Sequence, residues 1–81
     1  MKILPCLRSA SSTGPAVSPE RIYKFDVFAY ADDATIDDGC VAAVEFETTN
    51  RFTDLATSVN HAHADAREFG EAWLVQLERK A

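Results

Sequence analysis

Between Arg21 and Tyr30 the chain alternates, "RIYKFDVFAY", with Tyr23, Phe25, Val27 and Ala29 on one side and Lys24 and Asp26 on the other. A period of two sends successive side chains to opposite faces of an extended chain, so this stretch predicts a half-buried strand. "CVAAVEFETT" repeats the pattern, turning Ala42, Val44, Phe46 and Thr48 inward and Glu45 and Glu47 outward. The two strands read as a hairpin. A tight turn at Asp38-Gly39 is chemically suitable, yet it sets Asp32 opposite Glu45, and like charges across a strand pair cost stability. A longer loop over about residues 32 to 39 pairs Val27 with Val44 and Phe25 with Phe46, which keeps the apolar faces matched. The longer loop is therefore expected.

From Asn50 the spacing becomes helical, with Phe52, Leu55, Ala56, Val59, Ala62, Ala66 and Phe69 recurring at three- and four-residue steps. Thr49 or Asn50 is the expected cap, and Gly70 the left-handed residue expected to close the helix. "AWLVQLE" then predicts a last strand with Trp73, Val75 and Leu77 on one face. At the other end of the chain "SASSTGPAVSP" has no apolar period and reads as a loop or linker. Ahead of it, "KILPCL" leaves room for a short edge strand, where the missing N–H of Pro5 is harmless.

The expected fold is α+β, a small antiparallel β-sheet with one covering helix in strand, strand, helix, strand order (ββαβ), with an optional N-terminal edge strand. Residues 1 to 19 are expected to be a flexible N-terminal segment and residues 20 to 81 a single domain. In that arrangement the sheet's other face carries Phe28, Tyr30, Val41, Leu74 and Gln76, more apolar than a solvated face requires. The N-terminal segment, a second copy or a partner would cover it.

At 81 residues, 47% of them hydrophobic, the chain has material for one modest core. Cys6 and Cys40 stand far apart in no metal-binding or redox spacing and are expected to be free thiols in a reducing cytoplasm. "MKILPCLRSASS" begins like an export signal, but Arg8 ends its apolar run too early. No stretch approaches the roughly 20 apolar residues that span a bilayer. The net charge of −5 hides a polarity: residues 1 to 24 hold four cations against Glu20 (4 − 1 = +3), whereas residues 25 to 78 hold Arg51 and Arg67 against twelve carboxylates (2 − 12 = −10). Such a field repels nucleic-acid phosphates and attracts basic protein surfaces.

The aspartate-rich "DDATIDD" does not complete a calcium loop, because a loop starting at Asp33 has Asp38 where the glycine belongs and Val44 where the closing glutamate belongs. His61 and His63 point about 200° apart on a helix. His61 and Asp65 share a face there but supply two ligands, which is too few for a zinc site. No serine or cysteine lies in a nucleophile motif; Cys40, at a strand start, reads as a small buried hydrophobe. No metal, no cofactor and no catalytic residue is expected. The predicted outer face of the helix carries Asp54, Ser58, His61, Asp65 and Glu68. Either solvation or a functional acidic surface accounts for it.

"KFDVFAYADD", "CVAAVEFETTN", "FTDLATSVNHAHADAREFG" and "AWLVQLE", read as strand, strand, helix, strand on a short acidic chain, resemble small phage-encoded anti-CRISPR proteins. The resemblance implies a viral, non-enzymatic inhibitor in the host cytoplasm that binds a CRISPR effector subunit, often at a basic nucleic-acid channel. The expected function is thus an acidic protein that occupies a Lys/Arg-lined surface without binding nucleic acid or membrane itself. Asp32, Asp33, Asp37 and Asp38 are the first candidates for that contact, followed by Glu45, Glu47, Asp54, Asp65 and Glu68. The alternative is a structural or regulatory subunit that assembles through the apolar sheet face or an open strand edge.

Overall fold

The computed structural model describes residues 1–32 and 39–80. Strands β1 (Lys2–Thr13), β2 (Glu20–Tyr30) and β3 (Cys40–Asn50) precede one helix, α1 (Leu55–Lys80). The strands form a single antiparallel sheet in the order β1-β2-β3, and α1 packs on one face of it. This βββα order corrects the expected ββαβ in two places. The optional edge strand over "KILPCL" is formed and runs on to Thr13, into the segment expected to be a linker, and "AWLVQLE" is the second half of the helix.

The core forms where the middle strand meets the helix. Tyr23, Phe25, Val27 and Ala29 of β2 all point at α1 and are buried. Burying each of the larger ones contributes about 1.5–3 kcal/mol. Ser58, Ala62, Ala66, Gly70 and Leu74 form the buried row of the helix at four-residue steps. Four of these five side chains are small, so the helix backbone comes close to the sheet. Ile3, Val44, Phe46, Val59, Phe69 and Trp73 close the rim.

The hairpin register matches the sequence expectation: Val27 lies opposite Val44 and Phe25 opposite Phe46. At the loop end of the hairpin the Ala31 N–H donates to the Gly39 carbonyl at 3.4 Å. The full length of β1 escaped the same reading because its alternation changes parity midway. Ile3, Pro5 and Leu7 lie opposite the inward residues Ala29, Val27 and Phe25, but after a bulge it is Ala10 that lies opposite Tyr23. The bulge inserts Arg8, and one extra residue exchanges the two faces of everything beyond it.

The helix also begins and continues differently from the expectation. Its cap is Asp54, not Thr49 or Asn50: the Thr57 N–H donates to an Asp54 carboxylate oxygen at 2.9 Å, and the Ser58 N–H makes the first helical bond, to the Asp54 carbonyl, at 3.0 Å. Gly70 is buried in mid-helix and closes nothing. A Cβ placed there would stand 2.5 Å from Ile3 Cδ1 and 3.1 Å from Val27 Cγ1, so the close approach of helix and sheet selects glycine. Val75, expected to face inward on a strand, is 51% exposed on the helix.

A buried polar chain ties the start of α1 to the sheet. Ser58 Oγ donates to Asn50 Oδ1 at 2.6 Å and lies 2.6 Å from the Tyr23 hydroxyl, while Asn50 Nδ2 donates back to the Ser58 carbonyl at 3.1 Å. A serine hydroxyl has one proton, already given to Asn50, so Tyr23 is the donor to Ser58. Each member thereby offsets the cost of burying the others.

Candidate functional site

Helix α1 covers one face of the sheet and leaves the other open. On the open face Lys24 of β2 lies opposite Glu47 of β3, and Asp26 lies opposite Glu45. The second pair sets like charges across the ladder, and Arg8 resolves it. Its guanidinium donates to Glu45 at 2.7 Å and stands 3.4 Å from Asp26. The Glu45 hydrogen bond, with the charges of Asp26 and Glu45, raises the Arg8 pKa still further above its already high ordinary value. Lys24 reaches Glu47 at 3.8 Å. Arg8, Lys24, Glu45 and Glu47 thus line an open, shallow depression over the middle of the sheet. At the end of this face near the long loop, Leu4, Phe28 and Ala43 lie side by side across the three strands.

The candidate carboxylates are spread over several elements. Asp32 sits in the turn after β2, 3.0 Å from the α-amino group of Met1. Asp33, Asp37 and Asp38 lie outside the described residues. Glu45 and Glu47 come together on the open face, alternating along β3. Asp54 serves as the helix cap; the Thr57 N–H, and then the Thr57 hydroxyl, hold its carboxyl below the usual carboxylate range. Asp65 accepts a hydrogen bond from Thr48 Oγ1 at 3.1 Å, which fixes this flank of the helix beside β3. Glu68 follows on the same helix and is exposed. Glu45 and Glu47 therefore lie to one side of β3 and Asp65 to the other, whereas Asp32 and Asp54 are engaged elsewhere.

The two histidines of the helix lie against aromatic rings. His61 Nδ1 is 4.0 Å from Asp65 Oδ1, and its ring lies against Phe52, with centroids 4.9 Å apart. The His63 ring meets Phe25 edge-on at 5.0 Å, next to the core. Among the described residues no group of three or more His, Cys, Asp or Glu side chains is placed to hold a metal ion. Cys40 is exposed, which corrects the expectation of a buried hydrophobe, and both cysteines are free. Among the described residues no helix is long and apolar enough to cross a membrane.

Two features of this surface escaped the sequence reading. One is Arg8, whose role depends on the bulge. The other is which edge of the sheet is left open: an open strand edge was among the expected contacts, and the βββα order assigns it to β3. Comparison with family models, with curated proteins and with solved structures finds no match to this chain.

Proposed function

We propose that this chain is a non-enzymatic protein-binding module whose acidic side, built on β3 and the adjoining flank of α1, docks on a Lys/Arg-rich protein surface. The observation that carries this reading is the alternation of Glu45 and Glu47 along an exposed strand, with Asp65 on the helix flank beside it and Glu68 exposed further along the helix. Glu45 and Glu47 are exposed at 74% and 58% of their side-chain surface, so a partner's cations can reach them alongside Arg8 and Lys24. The chain's net charge of −5 steers such a partner during approach, a contribution to association rate more than to final affinity. The likeness to anti-CRISPR proteins rests on a strand, strand, helix, strand order that the βββα fold replaces. The partner is therefore defined by its chemistry, a basic protein surface, of which a CRISPR effector channel is one example.

The test compares the parent with the triple variant E45Q/E47Q/E68Q as bait in a lysate of the source cells, with retained proteins identified by mass spectrometry. The parent is expected to retain a basic protein that elutes as salt is raised, and the variant several-fold less of it, because screened charge attraction weakens with ionic strength. Equal retention with equal salt dependence overturns the reading. A partner held equally by both proteins at high salt would instead locate binding on the apolar end of the open face, around Leu4 and Phe28.

A further inference from the structure

We infer that β3 is a docking edge, to which an extended basic segment of a partner adds as a fourth strand. The inference rests on the proposed acidic-surface function and specifies how the partner is held. The two edges of the sheet are built differently. β1 carries the devices that block strand addition: Pro5, a bulge at Arg8 and the exposed Lys2. β3 carries neither proline nor lysine, its register shift lies at the Tyr30 end, and from Ala42 to Asn50 its pairing with β2 is regular. Among the described residues no strand pairs with its far side. Its main-chain groups there form a ready template for another chain.

The side chains of β3 say what that chain must carry. Glu45 and Glu47 alternate on the open face, and cations at alternate positions of an added strand come opposite them. On the helix side Val44, Phe46 and Thr48 are half-buried, whereas their β2 neighbours Phe25, Val27 and Tyr23 are buried. Phe46 stacks on Phe69 with centroids 4.6 Å apart, and this pair forms an apolar shelf at the edge. Apolar residues between the partner's cations complete the burial of that shelf. A second copy of this chain is a poor occupant. Two-fold pairing of β3 with itself centred anywhere on residues 45 to 47 sets Glu45 or Glu47 against another glutamate, which destabilises the pair.

The probe is a labelled peptide of about eight residues, a usual strand length, that alternates Lys and Val. A fully N-methylated version has the same charge but no N–H donors. The parent chain is expected to bind the first peptide at least about ten-fold more tightly than the second, with new hydrogen-exchange protection at β3 amides and none at β1. E45Q/E47Q should weaken binding several-fold and flatten its salt dependence; E47Q alone serves if the double variant does not fold. Equal binding of both peptides overturns strand addition while leaving the acidic-surface reading intact, because charge attraction survives methylation. Absence of binding by both peptides, protection at β1 instead of β3, indifference to E45Q/E47Q, or a peptide-excluding dimer in sedimentation each overturns the inference. The lysate comparison decides the broader reading independently.

Discussion

Gly70 and Arg8 show how single residues answer to neighbours far away in the sequence. Gly70 has no need of a left-handed conformation; its side chain is absent because Ile3 and Val27 occupy the space. Alanine there gains about 1 kcal/mol of helix propensity but overpacks a site where such insertions cost about 1–3 kcal/mol. Gly70→Ala is therefore expected to lose about 1 kcal/mol in urea melts. Ile3→Val removes the Cδ1 atom that the new methyl meets, so in that background Gly70→Ala should become neutral or stabilising. An equal effect of Gly70→Ala in both backgrounds would show that this contact does not select the glycine. Arg8 is the converse case: a bulge re-aims one cation so that Asp26 and Glu45 can lie opposite each other. No neighbour in the sequence marks that role.

At the scale of elements, the β2–β3 hairpin was legible because both strands keep a strict period of two and their faces match in a single register. Helix α1 was legible in its first half and lost in its second, because Trp73, Val75 and Leu77 satisfy a period of two while Phe69, Trp73 and Leu77 equally satisfy a step of four. The start of α1 was misplaced by the apolar Phe52, which lies before the helix and is 40% exposed. The true cap titrates. Hydrogen bonds from Thr57 lower the Asp54 pKa in the folded state, so the ionised cap stabilises the fold above the unfolded pKa, and this contribution is lost as pH falls through the lower folded value. Asp54→Ala should melt below the parent at neutral pH, and the gap should narrow on acidification beneath the ordinary carboxylate range. Asp54→Asn caps without titrating, so it should keep a constant offset above Asp54→Ala across the same pH range while the parent loses ground to both on acidification. A gap between the parent and Asp54→Ala that stays constant with pH would contradict this assignment.

For the whole molecule, the decisive fact is that β1 is an integral part of one two-layer fold. It covers one edge of β2, supplies Ile3 to the core and brings Arg8 to the open face, so the basic first part of the chain neutralises part of the acidic remainder across the sheet. A chain shortened to begin at Glu20 loses one of the sheet's two ladders and leaves β2 with an unpaired edge. In so small a domain little surplus stability exists to absorb that loss. The shortened chain is expected to lack a cooperative thermal transition followed by far-ultraviolet circular dichroism. A sharp transition near the full-length temperature would make β1 an accessory strand and residues 20–80 a domain in their own right.

What the sequence determined by itself is local and periodic: the inward set Tyr23, Phe25, Val27 and Ala29, the pairing of Val27 with Val44, the apolar stripe through Ala62 and Ala66, and the excess of carboxylates after residue 24. Each of these follows from a repeat of two or of three to four residues, or from counted charge, and needs no knowledge of distant neighbours. The tertiary structure alone decided the rest. β1 is a strand because β2 offers it a ladder, although its serines bury little. "AWLVQLE" stays helical because its Trp73 and Leu74 reach the sheet only on that continuation. Asp54 and Asp65 are drawn into a cap and a tie, and β3 is left as an open edge because, among the described residues, a helix and not a strand follows it. Backbone pairing and close approach are set between segments far apart in the chain, where hydrophobic period carries no signal.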